Sequence, residues 1–186
     1  SNKLKDFASL IMKFKEAQTK YSLPEFLGLI VFIATIFYWL GLIIFAPLDL
    51  SVNIMFAFSI IIAVLLPQRY GYTFAFLSGL FLDFLGTSLF GSHALAFTLL
   101  MVLFYNVRDK IDFKECIPQM VITGMLNILF ILVFGLLSKI FTGVFVWQGW
   151  KDLIFGSIIL GLIMPIFYNI TAKFLVFGVL KNADEN

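Results

Sequence analysis

Residues 117–140 read IPQMVITGMLNILFILVFGLLSKI, with Lys139 as the single charge. A helix that crosses a bilayer needs about 20 predominantly apolar residues, and this run is long enough. The rest of the chain agrees. Of 186 residues 61% are apolar and 13% charged, Phe alone takes 24 positions, and the mean hydropathy is +1.03. A soluble domain is roughly 45–50% apolar and about 25% charged. The composition therefore excludes an ordinary soluble globule and intrinsic disorder. One Cys excludes a disulfide framework. One Cys and one His also exclude a zinc cluster, which takes about four N or S ligands. A net charge of +2 is too small to point to nucleic acid.

Working outward from this run, a second long apolar stretch covers about Asp152 to Val179. Upstream, the segment from Val107 to Glu115 is polar, and before it lie runs from Ser92 to Asn106 and from Gly71 to Leu85. Pro67-Gln68-Arg69 closes a run that begins at Leu50. The earliest run goes from Phe26 to Ala46, opened by Pro24 and closed by Pro47 and Asp49. Proline is tolerated at a helix start and stops a helix that precedes it. The expected fold class is thus an all-α integral membrane protein, a bundle of about six transmembrane helices. Residues 1–22 form a basic amphipathic segment, residues 23–181 the membrane domain and residues 182–186 a polar tail.

Lysines 3, 5, 13, 15 and 20 make the first 20 residues basic, and Leu4, Phe7, Leu10, Ile11 and Phe14 recur at helical spacing. The segment reads as a helix lying on the membrane face, or else as a mobile tail. Its charges interrupt every apolar core that a signal peptide would need. Positive charge concentrates in cytoplasmic loops. With six crossings and the N-terminus inside, eleven of the thirteen Lys and Arg lie inside, leaving Lys139 and Lys151 outside. Both termini are then cytoplasmic. The runs on either side of Gly86 and Gly91 are short, so they read either as two spans or as a re-entrant pair. Trp147 and Trp150 flank the last outer loop, where an interfacial aromatic belt is expected.

Ionisable groups at membrane depth are functional candidates by default. Here they are Asp83 and His93. Asp83 ends a stripe of Gly71, Ala75 and Gly79, each four residues apart and so on one helix face. Small residues let a second helix approach closely. Asp83 is expected either to meet a partner group or to cap the next turn. Ser157 and Gly161 make a second small-residue ridge in the last span, which Pro165 should kink. There is no pair of carboxylates at depth, no H-E-x-x-H, no G-x-S-x-G and no phosphate loop. The expectation is a protein that is not an enzyme and holds no cofactor or metal.

The stretch from Leu66 to Leu95, LPQRYGYTFAFLSGLFLDFLGTSLFGSHAL, resembles the signature region of the bacterial rod shape-determining MreD family. The matching positions are Pro67, Arg69, Phe76, Gly79, Asp83, Gly91, Ala94 and Leu95, and His93 falls where relatives are often basic. Two features depart from that pattern: a longer basic N-terminal segment, and Thr87-Ser88 in place of a Gly-Ser turn. The resemblance implies a non-enzymatic scaffold of the cell-elongation machinery in the bacterial cytoplasmic membrane. Its partner would be the bitopic protein MreC. Together they would link MreB filaments to the peptidoglycan synthase, a RodA glycosyltransferase with a class B penicillin-binding protein. The basic N-terminal segment and the 107–115 loop would meet cytoplasmic partners or anionic membrane lipid. The family also resembles, in fold, the substrate-binding subunits of energy-coupling factor vitamin transporters. The alternative reading is such a subunit, although Asn127, Gln148, Asn169 and the two Trp offer few polar groups for a vitamin.

Overall fold

The structure, a computed structural model, describes residues 23–86, 90–113 and 115–183. The basic segment expected over residues 1–22 and the Thr87-Ser88 departure lie outside the described residues. The described chain is all helical. Its six α-helices are α1 (Leu23–Phe45), α2 (Ile54–Leu65), α3 (Gln68–Leu85), α4 (Ser92–Arg108), α5 (Cys116–Thr142) and α6 (Ser157–Ala183). A 3-10 turn, Ala46–Leu48, follows α1, and a π-helical turn, Asp152–Gly156, leads into α6. Among the described residues, two helical stretches, Cys116–Thr142 and Asp152–Lys173, are long and apolar enough to cross a membrane.

The helix boundaries follow from local chemistry. Pro47 seeds the 3-10 turn that ends the first run, and Asp49 leaves it in the left-handed region at φ 51°. Asn53 caps α2, its side-chain oxygen accepting the Phe56 N–H at 3.2 Å. Leu66 is extended, as the residue before a proline tends to be, and this separates α2 from α3. Helix α6 continues through Ala183, past residue 181, where the sequence suggests that the membrane domain ends.

Helix α2 is the centre of the bundle. It has 12 residues, and every one from Ile54 to Ala63 is buried. At 1.5 Å per residue it is about 18 Å long, well short of a hydrocarbon core of about 30 Å. A helix apolar on all sides lies either in a core or against lipid, and α2 is enclosed, since it touches each of the other five. The run from Leu50 to Leu66 therefore holds a short interior helix, preceded by non-helical residues and closed by the extended Leu66, where the sequence suggests one continuous span. Helices α3 and α4 form one close hairpin, and α5 and α6 a second.

Phenylalanine fills the space around α2. The Phe56 ring lies 5.0 Å from Phe97 of α4 and 5.4 Å from Phe130 of α5. Phe58 stacks on Phe167 of α6, and both meet Phe37 of α1. Ser59 of α2 and Ser78 of α3 share a buried hydrogen bond at 2.9 Å. A Cβ on Gly71 would stand 3.1 Å from the Ala63 Cα, so α2 and α3 approach at backbone distance.

Phe56 and Phe84 separate the interior from the periphery. Phe56 is fully buried, whereas Phe84 is 70% exposed. Truncating a buried Phe to Ala costs about 3–5 kcal/mol. Phe56→Ala is expected to lower the thermal midpoint in detergent sharply, and Phe84→Ala to leave it within a few degrees. Tryptophan fluorescence on heating reads both variants.

Candidate functional site

The α3–α4 hairpin gathers most of the residues that the sequence singles out. Gly91, at φ 91°, turns the chain into α4 in a conformation that glycine adopts without strain. The first N–H groups of a helix have no partner within it. Here Asp83, arriving from the end of α3, supplies one. Its Oδ1 accepts the His93 N–H at 3.0 Å and the Ser92 hydroxyl at 3.3 Å. Its Oδ2 accepts the Ala94 N–H at 3.2 Å. The His93 Nδ1 is 2.8 Å from Oδ1, and it donates there in the tautomer that carries its proton on Nδ1. The anion also faces the positive end of the α4 dipole. Asp83 thus caps the following helix with a carboxylate that is itself 4% exposed.

One turn before Asp83, Gly79 lies directly on the start of α4. A Cβ there would be 2.5 Å from the Ala94 Cα and 2.6 Å from its nitrogen. Only a residue without a Cβ fits, and this close approach is what brings the Asp83 carboxylate to the α4 amides. The stripe of Gly71, Ala75, Gly79 and Asp83 is buried along its length, against α2 at Gly71 and against α4 at Gly79. His93 is largely buried, its ring 4.4 Å from that of Phe134 on α5. The joint is therefore shared by α3, α4 and α5.

Other singled-out residues lie apart from this joint. Pro67 and Arg69 are exposed at the start of α3, where the Arg69 guanidinium packs 4.8 Å from the Tyr70 ring centre. Phe76 and Leu95 point outward, 48% and 52% exposed. Ser157 and Gly161 pack onto α5. The Ser157 hydroxyl accepts from Asn127 Nδ2 at 3.0 Å, and a Cβ on Gly161 would be 2.6 Å from the Met120 carbonyl oxygen. The same two residues line an open apolar groove with Gly124, Met125, Ile128 and Leu162.

Two features escape the sequence reading. Arg108, counted there as a loop charge, reaches back to the end of α2. Its Nη2 donates to the Val64 carbonyl at 3.1 Å and its Nη1 to that of Leu66 at 3.4 Å. A cation on the last carbonyls of a helix is favourable, so α4 is fixed by an anion at one end and by its own cation at the other. The available signal is a lone basic residue in the last turn of an apolar helix. The second feature is a polar column on α5. Gln119 Oε1, Thr123 Oγ1 and Asn127 Oδ1, four residues apart, are buried without a hydrogen-bond partner among the described residues. Their spacing was visible, but not the face they occupy.

Among the described residues no three His, Cys, Asp or Glu come together as metal ligands. No protein family, curated protein or solved structure matches this chain.

Replacing Asp83 removes all four contacts at once. Hydrogen bonds to a charged group contribute about 1.5–3 kcal/mol each, less where they share one acceptor. Asp83→Ala is expected to destabilise the protein by more than about 2 kcal/mol, with Asp83→Asn keeping part of the cap. Faster amide exchange confined to residues 92–95 in Asp83→Ala would identify the cap as the cause. Unchanged exchange there would refute it.

Proposed function

We propose that this chain is a non-enzymatic membrane scaffold of the MreD kind. In this reading all six helices belong to a membrane-embedded bundle, with both termini cytoplasmic. It binds MreC and helps to link MreB filaments to the RodA and class B penicillin-binding protein synthase. The observation that carries the reading is the convergence of Gly79, Asp83, Gly91 and Ala94, four positions of the resemblance, on one joint. Those residues act as a unit, which accounts for their occurring together. The other support is negative in kind: Asp83 and His93 are occupied with each other and with the α4 backbone, which leaves them poorly placed for proton transfer to a substrate.

Partner contact then falls to the outward faces. The α5–α6 groove, apolar and floored by small residues, suits a transmembrane helix. One observation favours the vitamin-transporter reading instead. The unpartnered oxygens of Gln119, Thr123 and Asn127 face the interior, as polar groups that orient a small ligand do.

Depletion in the rod-shaped host tests the choice. The scaffold reading expects rods to widen and round within a few generations, and the protein to co-purify with MreC. Growth that stops without rounding until a vitamin is supplied would move the assignment to the transporter.

The orientation has its own test. Cys116 is the single cysteine and is exposed at the start of α5. A membrane-impermeant maleimide is expected to label it in inverted vesicles and not in intact cells with a permeabilised outer envelope. Labelling in those cells would reverse the orientation.

A further inference from the structure

The groove between α5 and α6 is apolar except at Ser157. Gly124, Ser157 and Gly161 form its floor, and Val121, Met125, Ile158 and Leu162, each more than half exposed, its walls. Ser157 is 3% exposed, and its hydroxyl accepts from Asn127 Nδ2, of a residue that is 2% exposed. Ser59, Thr98 and Thr142 each donate to the carbonyl four residues back in their own helix. Ser157 follows the π-helical turn Asp152–Gly156 and makes no such bond. Its proton therefore has no acceptor among the described residues. Turning the Asn127 amide end for end would pair that proton with the amide oxygen and leave two N–H groups unpaired instead. Either way round, the pair keeps a buried donor with no acceptor, which is costly.

Depth decides what can supply that acceptor. Along α6, Ser157 lies about 8 Å beyond Asp152, and along α5, Asn127 lies about 17 Å beyond Cys116, at about 1.5 Å per residue. In the membrane-embedded bundle proposed above, both measures put the pair inside a hydrocarbon core of about 30 Å. Water is absent from that layer. The ester and phosphate groups of a lipid stay at its boundary, and an acyl chain carries no acceptor. An uncharged polar side chain of another transmembrane helix does reach that depth, and such side chains bond from helix to helix there.

We propose that the groove receives one transmembrane helix of a partner, which sets a Ser, Thr, Asn or Gln side chain on the Ser157–Asn127 pair. The glycine floor lets that helix approach closely, and the apolar walls take the rest of its surface. The inference rests on the scaffold reading given under Proposed function and deepens it. It names the feature by which this groove tells its partner from any other apolar span: an acceptor at the level of Ser157.

Photocrosslinking in native membranes tests the contact. A diazirine residue replaces Met125 on the groove wall of the full chain, and its adducts are mapped by mass spectrometry. The expected product joins this position to the transmembrane helix of MreC, within one turn of a Ser, Thr, Asn or Gln. Replacing that partner side chain by Ala is expected to weaken retention of MreC about threefold to tenfold, and Ser157→Ala to do the same. The double variant should lose no more than either single one, because each removes the same hydrogen bond. The partner variant leaves this chain unaltered, so it and the adduct decide the matter even where Ser157→Ala does not fold. Additive losses, or an adduct to a stretch of MreC without such a side chain, would overturn the proposal and leave the scaffold reading intact. Adducts to lipid alone, or to a second copy alone, in a preparation that contains MreC would overturn it as well. Absence of MreC from the purified protein would count against the scaffold reading itself and remove the proposal with it.

Discussion

The rest of this structure depends on the enclosure of α2, a helix with no polar face that lies inside the bundle and not at its edge. It is apolar on every side from Ile54 to Ala63 and is enclosed by all five other helices. Enclosure demands close neighbours, and the sequence supplies them. Gly71 lets α3 come within backbone distance of Ala63, Ser59 and Ser78 pair across the contact, and Phe56 and Phe58 fill the space toward α4, α5 and α6. In the membrane-embedded bundle proposed above, the packing has to hold without a hydrophobic driving force between helices. Dense aromatic interdigitation and a few buried polar contacts are the means available here.

Helix α4 shows how charge is used in such an interior. Asp83 satisfies the orphaned amides at its start, and its own Arg108 satisfies the carbonyls at the end of α2. Each charge meets the end of a helix dipole of opposite sign. The cost of burying a charge is offset by hydrogen bonds to groups that would otherwise be unpaired themselves. In the proposed scaffold, partner contact then falls to a surface left over, the apolar groove between α5 and α6.

Much of this was legible in the sequence. Pro47, Pro67, Gly91 and Gly143 mark helix ends, because proline restricts φ and glycine releases it, while Pro165 lies inside α6. The spacing of Gly71, Ala75, Gly79 and Asp83 identifies one helix face. The choice at Asp83 between meeting a partner group and capping a turn was not legible, because it depends on where Gly91 directs the chain. Nor was the target of Arg108, 42 residues away in sequence at Leu66. Asn127 was visible as a lone polar residue, but its bond to Ser157 depends on how α5 crosses α6.

By itself the sequence determined an all-helical, apolar chain, the approximate ends of its six helices, the residues of the α3–α4 turn and the asymmetry of its positive charge. Those properties are local or additive along the chain, so they can be counted. The tertiary structure decided which apolar run lies in the interior, which backbone a small residue admits and which amide a carboxylate reaches. Those depend on the angle and depth at which helices meet, and hydropathy is blind to both because α2 and a lipid-facing helix are equally apolar.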